Sequence, residues 1–351
     1  MTVSIDVRPF VAEDDVARDR FIRAHERGTF FHLSGWRRAV ERAFGHAPRD
    51  LVATVNGELA GVLPLMRCRG LFGGAHLIST PYAVYGGPLG RSSAVDRALC
   101  DAAGALAERE RVGRLELRCL EDLGADLGKG LVPSDLYATF IQELPADPAD
   151  VMKHMPKRGR AEVRKAIEKH GLVLDEGPQY FDALVANFHA SKQALGSPGL
   201  PASWFRALMD EFGGDVILHG VKREGETVAA TMSFVYGDTF VFYYIGTTHA
   251  GNRTYNATNF LCTRLREWAV EKGYKRFDLS RSRRDSGPYH FKEHQGFEAT
   301  PLAYRYKLVK STGLPSLTPS NPRTKKLRDT WAKLPPSVAR FLSGRLARYL
   351  P

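Results

Sequence analysis

The sequence offers little for covalent cross-linking or metal binding. Its 351 residues include four cysteines, Cys68, Cys100, Cys119 and Cys262. They lie far apart, form no CxxC pair and have no histidine at zinc-site spacing. The expectation is four buried, reduced thiols and a cytoplasmic location. The 11 histidines are scattered, with no HExxH box, so no metal is expected. No apolar run approaches the ~18–20 residues that span a bilayer. The N-terminal stretch alternates like a strand and has no signal-peptide apolar core, so export is not expected. A GxSxG elbow and a Cys/His signature are also missing, and a covalent nucleophile is therefore not indicated.

What is present describes an ordinary globular chain. Hydrophobic residues make up 43% and charged residues 25%, which excludes disordered, collagen-like and coiled-coil classes. The length predicts two domains of roughly 150 residues each. The formal charge of +11 is concentrated in two places. Residues 311–351 hold eight basic residues against the single acid Asp329. Lys153 to Lys169 holds seven against Glu162 and Glu168. Such clusters attract phosphates, nucleic acids or anionic membranes.

An internal repeat organises the chain. Trp36, Arg38, Ala39, Phe44, Gly45, Gly57 and Glu58 recur as Trp204, Arg206, Ala207, Phe212, Gly213, Gly225 and Glu226, all at an offset of 168 without a gap. Further on, Leu99-Cys100, Ala107, Arg114 and Leu117 recur as Leu261-Cys262, Ala269, Arg276 and Leu279, at an offset of 162. Two ungapped blocks in one order predict two copies of one unit. In the first copy the spacing predicts a helix over 36–44 stopped by Gly45. A strand at 51–55, an Asn56-Gly57 turn, a strand at 58–66, a helix near 95–110 and a strand at 114–119 follow. The second copy predicts a helix at 203–212, strands near 216–222, 228–236 and 239–245, a helix near 255–272 and a strand at 276–280. Each unit is thus α+β, a mixed and mostly antiparallel sheet flanked by helices. A basic helix near 160–170 joins them.

That doubled order resembles the GNAT-like tandem fold of the Fem-type peptidyltransferases, the FemAB family. Tyr243-Tyr244-Ile245-Gly246 is similar to the family's aromatic strand end. Phe277-Asp278-Leu279-Ser280-Arg281-Ser282-Arg283 is similar to its Phe-Asp-x-Gly-Arg-Ser-Lys stretch, with Ser280 in place of Gly and Arg283 in place of Lys. Ser286-Gly287, Phe291-Lys292, Gly296-Phe297-Glu298 and Pro301-Leu302-x-Tyr304-x-Tyr306 are similar to the family's ending. The pattern most resembles the FemAB-like subgroup associated with exosortase/PEP-CTERM systems and exopolysaccharide loci, over almost the whole chain. The helical arm with which some members grip tRNA is missing. The expected units are 1–150 and 176–310 as GNAT-like domains, 151–175 as a basic linker helix and 311–351 as a basic, proline-containing tail.

The resemblance implies acyl transfer to an amine through a tetrahedral oxyanion, which needs a positive charge or hydrogen-bond donors and oriented reactants. Lys292 matches the Lys of the family's Phe-Lys pair near the reacting carbonyl and is the expected catalytic residue. Tyr244 and Tyr289 are expected to line the acceptor channel. Tyr243 faces away from Tyr244 on an alternating strand, so at most one of the two enters the cleft. Arg281 and Arg283 follow a strand end and suit a phosphate or carboxylate. Asn256 opens the long helix, whose end attracts anions. Tyr85 belongs to a Gly-rich loop that lies near the acceptor pocket in Fem-type relatives. Arg160 and Arg164 share one helix face and suit a nucleotide-linked acceptor or a tRNA end.

The acyl donor is a co-substrate, aminoacyl-tRNA or acyl-CoA, and no permanently bound cofactor is expected. The Thr247–Asn256 segment lacks the usual spacing of an acyl-CoA pyrophosphate loop. Three functions stand open: a Fem-like acyl or aminoacyl transferase acting on an envelope or exopolysaccharide precursor, an acyl-CoA N-acyltransferase, and a non-catalytic binding protein. The tail prolines Pro315, Pro319, Pro322, Pro335 and Pro336 exclude one long helix. Two short amphipathic helices within 321–351 either pack on the body or meet an anionic membrane, on its inner face. Oligomeric state is not set by the sequence.

Overall fold

The computed structural model describes residues 4–70, 73–314 and 322–351, the side chains of 322–324 excepted. In chain order its helices are α1 (Asp15–Ala24), α2 (Ser34–Phe44), α3 (Ser93–Arg109), α4 (Lys157–Glu168), α5 (Phe181–Ala194) and α6 (Ala202–Phe212). Then come α7 (His249–Arg253), α8 (Ala257–Glu271), α9 (Gly287–His294), α10 (Pro322–Ala332) and α11 (Pro336–Leu346). None of them is long and apolar enough to cross a membrane. Among the described residues no group of His, Cys, Asp or Glu is placed to hold a metal. All four cysteines are buried and unpaired.

Local chemistry explains the elements. Gly45 closes α2 at φ +65°, a conformation that glycine adopts without a Cβ penalty. Asn56-Gly57 and Glu224-Gly225 close two tight hairpins, each with both residues at positive φ, as such turns require. The strand expected over 58–66 is broken. It ends at Leu63, Pro64 cannot donate to a ladder, and Met66 opens a strand in a different sheet. Pro322 and Pro336 each begin a tail helix, where a missing N–H costs nothing. Pro315 and Pro319 lie outside the described residues.

The repeat is visible as two sheets of like construction. One runs in the order 141–143, 276–278, 239–247, 226–236, 216–223, 173–176. The other runs 47–48, 66–69, 75–78, 114–117, 304–308, 132–134, and a four-stranded sheet built on 5–9, 51–55 and 58–63 stands beside it. Each six-stranded sheet has one parallel pair, 239–241 with 276–278 and 77–78 with 115–116. Strands cross over between the halves. Ile141–Glu143 pairs with Arg276–Asp278, and Tyr304–Leu308 pairs with Arg114–Leu117. The expected units 1–150 and 176–310 therefore each lend a strand to the other's sheet.

The halves meet through the repeated tryptophans. Trp36 of α2 and Trp204 of α6 are fully buried, edge to face with ring centroids 5.1 Å apart. Trp36 Nε1 donates to Pro81 O at 3.0 Å and Trp204 Nε1 to the Tyr244 hydroxyl at 2.9 Å, so neither indole leaves a buried donor unpaired. Phe30, Phe234 and Tyr243 complete this aromatic cluster. Truncating a buried aromatic costs about 3–5 kcal/mol. Trp36→Ala is expected to fall in that range in urea unfolding; a loss under about 1 kcal/mol, as for a surface change, would show that the halves are held together elsewhere.

Candidate active site

The strands Thr239–Thr247 and Arg276–Asp278 pair in parallel over only three residues, Thr239–Val241 against Arg276–Asp278. They then part. Ser280, at φ +61°, turns one chain away, and the Asp278 carboxylate accepts the Ser280 N–H at 2.6 Å, a local device that fixes the turn. On the other arm the register slips: Met232 faces Tyr244 and Ser233 faces Phe242, leaving Tyr243 as an extra residue. Such a bulge bends its strand. Between the arms lies a cleft of about 840 Å³, walled by Phe242–Ile245 on one side and Leu279–Ser282 on the other.

Lys292 lines this cleft. Ser286 caps α9 by accepting the Tyr289 N–H, with Gly287-Pro288 in the first turn, which sets Lys292 one turn further on. Its Nζ donates to Ser280 O at 2.9 Å and Arg281 O at 3.1 Å. An ammonium has three hydrogens, so one remains for a ligand. Burial lowers the Lys292 pKa to about 7, against the opposing charge of Asp278. Burial likewise raises Asp278 to about 6, although Ser280 N–H, the Tyr85 hydroxyl and Lys292 favour its ionised form. Near neutral pH the amine can thus accept a proton and the ammonium can donate one.

Arg281 and Asn256 also line the cleft. The Arg281 guanidinium lies 4.5 Å over the Tyr137 ring and donates to the Tyr304 hydroxyl at 2.8 Å. Asn256 donates to Glu162 of the basic helix α4, which ties that helix to the cleft. Tyr244 reaches the cleft too, but it is buried and its hydroxyl is taken by Trp204. Tyr243 lines the cleft as well, which corrects the expectation from strict alternation: the bulge breaks the two-residue period.

Five expected residues lie elsewhere. Tyr289 packs on Phe140, ring centroids 5.2 Å apart, completing an apolar cluster. Arg283 has re-entered a strand and pairs with Tyr137. Tyr85 is buried behind Asp278, its hydroxyl bonded to Asp278 Oδ1 at 3.1 Å and to Thr139, so it supports the carboxylate and does not line the cleft. Arg160, half-buried, and Arg164, exposed, lie on α4 outside the cleft wall.

The structure adds residues that the sequence did not single out. Lys192 of α5 lines the cleft, 5.3 Å over the Phe188 ring, with its pKa lowered by burial. Nothing in a helix of ordinary pattern signalled it. Ser280 and Ser282 line the cleft, and their buried hydroxyls have no protein partner. Ala347, Leu350 and Pro351 also line it. That segment is strapped down by the Tyr82 hydroxyl donating to Ala347 O at 3.1 Å, Arg348 to Phe44 O at 3.0 Å and Arg118 to Pro351 O at 3.3 Å.

Residues 153–293, which hold the splayed strands and Lys292, match the family model of the acetyltransferase (GNAT) domain. No curated protein matches the chain in sequence. Among solved structures, FemX superposes with a TM-score of 0.65 at 14% identity, covering 87% of this chain and 98% of its own. A tandem GNAT protein from the clavulanic acid biosynthesis pathway gives a TM-score of 0.54 at 14% identity, covering 88% and 100%. A conserved protein of unknown function from Bacteroides thetaiotaomicron gives 0.58 at 14% identity, covering 88% and 100%. At such identity the likeness establishes the fold: the chain has the tandem GNAT architecture.

The lysine titration is open to direct measurement. Competitive acetylation with acetic anhydride, read by mass spectrometry, is expected to half-titrate Lys292 near pH 7, far below exposed lysines. Asp278→Asn removes a charge that favours the ammonium and is expected to move that midpoint lower still. A midpoint near 10 in the parent protein would refute the burial described.

Proposed function

We propose that the chain is a Fem-like N-acyltransferase or aminoacyltransferase. It would move an acyl or aminoacyl group onto an amine of an envelope or exopolysaccharide-related precursor. The observation that carries this reading is Lys292 Nζ, held on two carbonyls in the cleft where the parallel strands part. The motif from Phe277 to Tyr306, similar to the exosortase/PEP-CTERM-associated subgroup, supports the choice of acceptor.

The chemistry follows from that geometry. The acceptor amine attacks an ester or thioester carbonyl and a C–N bond forms. Charge gathers on the carbonyl oxygen, and the third N–H of the Lys292 ammonium is available to stabilise it. The C–O or C–S bond then breaks, the leaving group departs with the electron pair, and the amine's proton passes to a base or to the leaving group. Arg281 and Asn256 suit anionic parts of the substrates, and the unpartnered Ser280 and Ser282 hydroxyls suit polar ones.

The donor reading favours an aminoacyl ester over acetyl-CoA. Where acyl-CoA enzymes present a pyrophosphate loop, this chain folds the short helix α7, whose Gly251 N–H is already bonded to the Thr248 hydroxyl. Calorimetry with acetyl-CoA is expected to show weak or undetectable binding. Micromolar affinity would move the acyl-CoA reading to first place, a reading supported by the α8 N-terminus beside Asn256. Native mass spectrometry of protein purified from its own cells would show which donor or acceptor travels with it. Once a substrate is in hand, Lys292→Ala is expected to lower turnover about 100-fold or more, a far larger effect than its change in urea unfolding. Wild-type turnover would exclude the oxyanion role.

A further inference from the structure

We propose that the two tail helices dock the protein on an anionic lipid surface. The inference goes beyond the acyl transfer proposed above and does not depend on it. One side of the helix pair is fastened to the body. Leu334 O accepts from Gln193 of α5 at 2.6 Å, the Ser343 hydroxyl accepts the Gly199 N–H at 3.1 Å, and Ala339 and Ser343 are buried. The side open to water carries apolar residues among its charged ones. Leu327 is 71% exposed, Phe341 61% and Val338 42%. Leu195, 70% exposed, adjoins Gly196, against which the backbone of Arg328 is packed. Single exposed apolar residues need no explanation, but a group on one helix pair does.

The charge around this face decides its partner. Lys325, Lys326, Lys333, Arg340 and Arg345 are all exposed, and among the described residues none of them is in an ion pair. Asp329 is the only acid of the two helices, and α5 beneath them carries none beyond Asp182. The Arg345 guanidinium lies 3.8 Å over the Phe341 ring, a cation resting on the residue that would insert. A second copy of the chain would bury the apolar residues but bring like charges together. A nucleic acid would satisfy the charges and leave Leu327 and Val338 in water. A bilayer with anionic headgroups accepts both. Leu195 and Leu350 also line the cleft, so docking sets the cleft mouth at the level of the headgroups.

The test uses the full chain and vesicles of phosphatidylcholine with or without phosphatidylglycerol. Co-sedimentation is expected with the anionic vesicles at low salt, is lost at high salt, and is absent with neutral ones. The full-length double variants Val338→Ser/Phe341→Ser and Lys333→Glu/Arg340→Glu change only exposed side chains. Each is expected to lower vesicle affinity by at least about tenfold with an unchanged thermal melt. Parent protein that stays in the supernatant of anionic vesicles overturns the proposal, as does equal binding by the variants. Two controls name the other occupants. If Lys333→Glu/Arg340→Glu weakens binding to bulk tRNA while vesicles are not bound, the face is a nucleic-acid surface. If Val338→Ser/Phe341→Ser turns a lipid-free dimer into a monomer by sedimentation velocity, the face is self-associating. Either result overturns lipid docking.

Discussion

The cleft depends on where a parallel pairing stops. Three residues of ladder hold Thr239–Val241 beside Arg276–Asp278; a fourth would close the gap and leave no cleft. Two local features prevent it. The extra residue Tyr243 bends one strand, and Ser280 in the left-handed region turns the other away. A non-glycine residue there is strained, and the Asp278 carboxylate that accepts the Ser280 N–H compensates. Lys292 then fastens the turned segment through two carbonyls. The group best placed to act on a substrate is thus also one of the struts that keep the cleft open.

The first half shows the same design with the opening filled. At the repeat offset, Glu116 corresponds to Asp278 and Arg118 to Ser280. Glu116 is buried like Asp278, but it is paired with Arg118 at 2.9 Å and Arg114 at 3.4 Å, and the arginine charges pull its pKa below the usual value against the cost of burial. The Arg118 guanidinium goes on to bind Thr80 O, Ala83 O and Pro351 O. Where the second half has two unpartnered serine hydroxyls and a free ammonium hydrogen, the first half has a satisfied arginine holding a loop. The carboxylate whose pKa stays raised is the one beside the open cleft.

Much of this was legible, and the reasons are local. Gly45, Asn56-Gly57 and Gly225 mark positive-φ positions that few residues fill, and Trp36 and Trp204 mark a packing joint that a fixed offset reveals. Arg281 and Asn256, singled out at a strand end and a helix start, line the cleft, as does Lys292, singled out by the resemblance of its Phe-Lys pair. Tyr289, Arg283 and Tyr85 lie off the cleft wall for a different reason: a motif gives order along the chain but not which side of a turn faces the cavity. The bulge at Tyr243 was invisible because a one-residue slip leaves no compositional trace. The strand exchange and the strap of residues 347–351 depend on contacts between segments more than 100 residues apart, for which no pattern exists at short range.

The paired titrations show what the site costs the fold. Lys292 has a folded pKa near 7 against an ordinary 10.5, so the unfolded chain binds more protons between those values. Its contribution to stability is present above about 10.5 and is lost as the pH falls through 7. Asp278 has a folded pKa near 6 against an ordinary 3.8. Its contribution is present below about 3.8 and is lost as the pH rises through 6. Burial thus penalises the charged form of both groups. Their mutual attraction only softens this. Near neutral pH the charged pair therefore weighs against the fold. Burial makes the placement of Asp278 and Lys292 costly to the fold, and shifts of this kind cluster at functional sites.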